Sequence, residues 1–251
     1  MSDAATLAYV LRLADSSLIH GQRLAEWCGH APVLEEDIAL ANIALDHIGQ
    51  ARLLLTLAGQ IEGRGRDEDA LAFQRIEREF RNVTMLELPN GDFARTVLRL
   101  FLWSSFMKAA WTALASSSNE TLAAIAVKSL KECRYHLRHS ADWVLRLGDG
   151  TDTSHQLMVR ALADLWPYIA EWFVADEVDA HAAARGLGPS WADLRAAWWT
   201  DVQAVLGQAT LQAPAETPFV STGKQGRHSE HMGYVLAEMQ SVTRAFPGAV
   251  W

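Results

Sequence analysis

The sequence has 251 residues, half of them hydrophobic and 21% charged, with 22 basic side chains against 30 acidic ones and a net charge of −8. That balance supports a sizeable core and excludes extensive disorder, and the acidic excess argues against a bulk nucleic-acid binder, which needs a basic face. No uncharged run reaches the roughly 20 apolar residues of a membrane helix.

The start lacks a basic n-region and carries Asp3, so it does not read as a signal peptide. Two cysteines, Cys28 and Cys133, fit a reducing cytoplasm and exclude a disulfide scaffold or a thiolate cage. Both are expected to be small core residues.

In chain order, helix-periodic segments dominate and no alternating strand pattern appears. The first helix is expected from about Thr6 to Cys28, with Leu7, Leu11, Leu18 and Ala25 on one side and Gly29-His30-Ala31-Pro32 ending it. The second runs from about Leu34 to Gln60, with Ile38, Leu45, Gly49 and Leu53 together. The short connection makes the two an antiparallel hairpin. Gly63-Arg64-Gly65 breaks the chain, and a charged helix follows from about Asp69 to Arg81. After the turn Pro89-Asn90-Gly91, Asp92 is a candidate N-cap for a helix from Phe93 to about Ser116. Ser117-Ser118-Asn119 turns the chain into a helix from Glu120 to about Leu147, which makes a second hairpin. Further helices are expected near 154–185, 190–207 and 229–245, with an irregular stretch at Pro214, Pro218, Gly223 and Gly226 before the last. Two long hairpins joined by a longer connection are the plan of an all-α, ferritin-like four-helix bundle with additional helices, read as one domain over 1–251. Trp191, Trp198 and Trp199, three of ten tryptophans, belong at a helix contact, in the core or at an interface.

A bundle of this plan raises the question of a di-metal centre. That chemistry takes one Glu from each of two helices and Glu-x-x-His from each of the other two. The residues three places before the nine histidines are Ser17, Trp27, Ala44, Cys133, His136, Asp152, Val178, Gln225 and His228, so no Glu-x-x-His exists. The pair Asp152 and His155 falls in a turn, where capping explains it better. With the first hairpin centred near residue 31, Asp15 faces Asp46, and across the second turn Glu132 faces Trp103. Asp15, Asp46 and Glu132 then lie near one level, as a vestigial polar core. Trp103 takes the fourth acidic place, and Gly49 and Tyr135 stand where imidazoles belong. His47 and His136 are one position off and point about 100° away. No metal, cofactor or catalytic residue is therefore assigned to the chain.

Lys128 stands one turn before Glu132. Either its ammonium turns inward and supplies the charge a metal would supply, or the two form an exposed i,i+4 pair. Lys131, Arg134 and Arg138 form a basic stripe, either solvated or facing an acidic partner. The segment TGKQGRHSEH, from Thr222 to His231, gathers Lys224, Arg227, His228 and His231 before a helix. It suits contact with a partner protein or with the phosphate of an anionic ligand, or else it is an ordered loop with solvated bases.

The segments RLADSSLIHGQRLAEWCGHAP (12–32), LANIALDHIGQAR (40–52), LPNGDFA (88–94), KECRYHLRHSADWVLRLGDGT (131–151) and TGKQGRHSEHMGYVLAEMQ (222–240) resemble the C subunits of ring 1,2-phenylacetyl-CoA epoxidase, and the likeness spans essentially the whole chain. These are components of a multicomponent bacterial oxygenase of aerobic phenylacetate degradation. The resemblance implies a cytoplasmic, non-catalytic structural subunit, homologous to the di-iron catalytic A subunit and packed against it, in a complex that includes a reductase. The competing readings are a stand-alone di-metal ferritin-like oxygenase and a metal-storage bundle. The missing Glu-x-x-His speaks against the first, and no acid-rich metal entry supports the second.

Overall fold

The computed structural model describes residues 2–249. The fold is all-α, with no strand among the described residues, and its two long hairpins give it a ferritin-like plan. The chain divides into two compact units, Met1–Pro89 with Ser221–Trp251, and Asn90–Val220.

In the first unit, α1 (Ser2–Ala25) and α2 (Leu34–Glu62) form the first hairpin. Gly63 ends α2 in the left-handed region, φ 67°, where its missing Cβ avoids strain. From Tyr9 to Gly21 almost every α1 residue is buried. The helix has α2 along one side, and the Thr84–Glu87 3-10 turn and the C-terminal α10 (Glu230–Met239) touch others.

The face of α2 turned to the core differs from the one its sequence suggests. Leu40, Ile43, Ala44, His47, Ala51, Leu54 and Leu55 are buried, whereas Ile38, Leu45 and Leu53 are exposed. The hairpin register explains the shift. A Cβ on Gly21 would meet Ala44 O, His47 Cβ and Ile48 at 3.1–3.3 Å. Residues 20–21 thus lie beside 44–48, and Asp15 does not face Asp46.

The charged helix expected to reach Arg81 is short. α3 (Glu68–Phe73) starts on Asp67, whose side chain accepts from Ala70 N at 2.8 Å. It stops because Arg75 turns into the core. A 3-10 turn, Glu77–Glu79, and extended chain follow. The C-terminal segment returns to this region: Gln240 Nε2 donates to the carbonyls of Ala72 and Arg75 at 3.1 and 3.0 Å. A last helix, α11, covers Ser241–Ala245.

In the second unit, α4 (Phe93–Leu114) and α5 (Glu120–Gly148) make the second hairpin. Asp92 forms its expected cap, accepting from Arg95 N at 2.8 Å, and Asn119, at the end of the expected turn, accepts from Leu122 N at 2.9 Å. The segment expected as one helix over 154–185 is divided into α6 (Asp152–Leu165), a 3-10 turn through Pro167, α7 (Ala170–Phe173) and α8 (Glu177–Ala184). Proline has no N–H to continue the ladder, and Asp176 caps a new start by accepting from Val178 N and Asp179 N. Thr151, rather than Asp152, caps α6, and His155 Nδ1 lies 2.7 Å from the carbonyl of Gly148. A 3-10 turn, Trp191–Leu194, leads into α9 (Arg195–Gln208).

Candidate functional site

The polar residues singled out in the sequence have different surroundings in the two units. In the first unit Asp15 is fully buried, and its partner is Arg75. Arg75 Nη1 donates to Oδ2 at 3.0 Å, and Nη2 donates to Oδ1. The backbone N–H of Arg81 adds a third bond to Oδ2 at 2.8 Å. The guanidinium also lies 4.1 Å from the centre of the Phe80 ring, and Nη1 reaches the carbonyl of Glu79 at 3.0 Å. A bidentate arginine matches the planar carboxylate. The charge that an inward-turned Lys128 would have supplied comes from Arg75, which sequence reasoning missed.

A second buried pair lies in the same unit. Glu87 and His228 both have side chains closed to solvent, with Nδ1 2.7 Å from Oε2. His228 Nε2 is 3.2 Å from the carbonyl of Phe80. Both ring nitrogens face acceptors, which the doubly protonated ring satisfies. Burial pushes the His228 pKa down, but the hydrogen bond and charge of Glu87 outweigh it together with the Phe80 carbonyl, so the net shift is upward. Glu87 is completed by Asn82 Nδ2 at 2.9 Å and by Ser229 N at 2.5 Å, and its carbonyl accepts from Arg23 Nε at 3.0 Å and Nη2 at 2.6 Å.

This arrangement closes much of TGKQGRHSEH to solvent. His228 is consumed by Glu87, and Lys224 is buried. Of the four bases gathered there, only Arg227 is exposed, and His231 is half-buried. The glycines serve close approach: a Cβ on Gly223 would meet Asn82 O at 2.5 Å and Thr84 N at 2.9 Å.

Two imidazoles also meet inside the first hairpin. His20 and His47 are buried with ring centroids 4.7 Å apart. His47 was expected to point away, and the register of α2 turns it inward. Asp46 is half-buried.

In the second unit, Lys128 is not interior. Its Nζ lies 2.8 Å from Glu132 Oε1, with 57% of the lysine side chain exposed. This is the i,i+4 surface pair. Trp103 is buried in an aromatic cluster, with ring centroids 5.2 Å from Phe106, 5.3 Å from Trp172 and 6.4 Å from Trp191. Aromatic rings thus fill the surroundings of the place where hairpin geometry put a fourth carboxylate. No group of three or more His, Cys, Asp or Glu side chains able to hold a metal ion occurs among the described residues.

The three tryptophans divide. Trp191 and Trp198 are core, with Trp198 Nε1 donating to the carbonyl of Leu102 at 3.1 Å. Trp199 is at the surface, on an apolar cleft of about 1000 Å³ lined also by Trp166, Phe173, Trp198, Leu206 and Leu211. The cysteines divide too. Cys133 is buried, with Sγ 3.3 Å from the carbonyl of Ser104, and burial pushes its thiol up to about 12. Cys28, expected in the core, is exposed because α1 ends before it. No described helix is long and apolar enough to cross a membrane.

Comparison with known proteins bears on this arrangement. The family model described as phenylacetic acid catabolic protein matches residues 1–251. The chain is 49% identical over 244 residues to the C subunit of 1,2-phenylacetyl-CoA epoxidase from Escherichia coli (strain K12), covering 97% of this chain and 98% of that relative. A whole-length family match and this identity place the chain in the phenylacetic acid catabolic protein family.

Proposed function

We propose that the chain is the non-catalytic structural subunit of a phenylacetyl-CoA epoxidase complex in aerobic phenylacetate degradation. The observation that carries the reading is the 49% identity, over nearly the whole of both chains, to the C subunit of such an enzyme. In this reading the two units form one ferritin-like domain. It packs against the homologous di-iron subunit, which binds the CoA thioester and performs the epoxidation, and a reductase supplies electrons at the level of the complex. The chain resides in the cytoplasm with its substrate pathway.

The buried polar groups support the non-catalytic part. Asp15 spends both oxygens on Arg75 and Arg81, and Glu87 spends both on Asn82, His228 and Ser229. Of the three carboxylates read in the sequence as a vestigial polar core, only Asp15 is fully buried, and a guanidinium neutralises it. Such a core keeps the shape of a metal-bearing relative without its chemistry.

Metal analysis after expression with added iron tests this reading. Far less than one iron per chain is expected. Two irons per chain with a di-iron absorption band would overturn it.

A further inference from the structure

The apolar cleft of the second unit, about 1000 Å³ in volume, is walled by three segments: residues 166–174, α9, and the chain from Leu211 to Thr217. Small-molecule pockets are concave, mostly apolar and aromatic, and carry only a few polar groups. The walls here are aromatic. The Trp198 ring centroid lies 5.2 Å from that of Phe173, 6.0 Å from Trp166 and 6.1 Å from Trp199. The Trp198 Nε1 is spent on the carbonyl of Leu102 at 3.1 Å, so this side chain offers the cleft a ring and no hydrogen bond. Such rings take flat partners in offset or edge-on arrangements.

The charges on the cleft exclude an anionic ligand. Arg195 is the one cation among the described lining residues, and Glu216 neutralises it. Its guanidinium carbon lies 5.8 Å from the centre of the Phe173 ring. Asp193 adds a further negative charge, so a phosphate or carboxylate would meet repulsion and a spent arginine.

A strained turn sets the 211–217 wall. Thr210 has φ 58°, in the left-handed region that a β-branched residue rarely adopts. Leu211 N donates to the Leu206 carbonyl at 2.9 Å, and Thr210 Oγ1 donates to that of Gly148 at 3.2 Å. These bonds hold the turn and send the chain on without helix along the cleft. Strain maintained in this way clusters at functional sites. Gly207, also on the cleft, leaves space that a side chain would take: a Cβ there meets nothing within 4 Å.

We propose that this cleft is a binding site for a flat, uncharged aromatic molecule of two or three rings, packed against Phe173, Trp198 and Trp199. The ligand is aromatic because the walls are rings, and uncharged because the only cation is already paired. It has more than one ring because the cleft is at the upper end of the volumes that small ligands fill. Binding there goes beyond the subunit role proposed above, and neither depends on the other.

The test is fluorescence titration of the full chain with N-phenylnaphthylamine, an uncharged probe that brightens in apolar surroundings. One probe per chain should bind saturably. Naphthol should displace it at least tenfold better than naphthalenesulfonate, which carries a negative charge on the same rings. Trp199→Ala removes a wall and Gly207→Leu fills space, and each should weaken probe binding at least tenfold with an unchanged helical spectrum. Gly207→Leu should also keep or raise the denaturation midpoint, since leucine is the better helix former. Leu45→Ser, on the exposed apolar face of α2, should leave probe binding within twofold. Several probes per chain, or an equal loss with Leu45→Ser, would mark adhesion to apolar surface in general and overturn the site. Binding within twofold of wild type in both cleft variants, equal displacement by the sulfonate, or no binding at all would overturn it too. A homodimer that Trp199→Ala dissociates, with no probe bound by the wild type, assigns the cleft to a second copy and likewise overturns the proposal.

Discussion

Arg75 closes both nitrogens of its fork on the carboxylate of Asp15, with neither side chain open to solvent. Two charges removed from water are tolerable only while they neutralise each other. Arg75→Met should therefore lower the unfolding free energy by about 3–5 kcal/mol. The double change with Asp15→Leu should recover most of the loss, because both charges are then gone. Urea denaturation of the three variants measures this. Lys128→Met, which removes a surface pair, should cost under about 1 kcal/mol. A larger loss at Lys128 than at Arg75 would reverse the assignment of the compensating charge.

His228 makes the stability pH-dependent in a definite direction. Its pKa in the folded chain is raised, as the pull of Glu87 and the Phe80 carbonyl exceeds the penalty of burial. A raised folded value means that the contribution is complete below the ordinary histidine pKa of about 6.5. It is lost as pH rises through the folded value. The stability difference between wild type and His228→Asn should be largest near about pH 6 and shrink towards about pH 9. Chemical denaturation across that range checks it, and a pH-independent difference would show that the imidazolium is not the stabilising form.

The two thiols should separate cleanly. Cys28 is exposed, while Cys133 is buried with its thiol pushed up to about 12. The thiolate is the reactive species, so an aromatic disulfide reagent at neutral pH should titrate one thiol in the native chain and two in denaturant. Reaction of Cys133 at the rate of Cys28 would mean that the α4–α5 hairpin opens locally.

Gly223→Ala should strain the contact of the C-terminal segment with the 82–84 region. The new methyl would stand 2.5 Å from Asn82 O and 2.8 Å from Thr84 Oγ1. A loss of about 1–3 kcal/mol, typical of overpacking, is expected. Amide exchange should show weakened protection at Gly223, whose N–H donates to Thr84 Oγ1 at 3.1 Å. Unchanged protection and stability would show that the backbone there yields freely.

The parts legible in the sequence are those with local causes. Asp92 and Asn119 cap their helices through bonds three residues ahead, and a sequence displays such spacings directly. The phase of α2 was not legible, because that helix carries two apolar faces. Ile38, Leu45 and Leu53 compete with Leu40, Ile43 and Leu54, and periodicity alone does not choose between them. Choosing the wrong face moved Asp46 towards the core and turned His47 away from His20. The ion pairs were hidden for another reason. Arg75 lies 60 residues from Asp15, and His228 lies 141 from Glu87. No spacing rule links residues so far apart. Lys224 and His228 looked like a solvated basic cluster because a sequence shows charge without burial. The absence of Glu-x-x-His was visible at once, since that motif lies within a single turn of helix.

The most direct test of the proposed non-catalytic, structural role is turnover of phenylacetyl-CoA, with reductase and oxygen, by three samples: this chain alone, the proposed di-iron partner subunit alone, and the two together. No epoxide should form with this chain alone, even after iron loading, and full turnover should require both chains. Epoxide formed by this chain alone, or full activity of the di-iron subunit without it, would contradict that role.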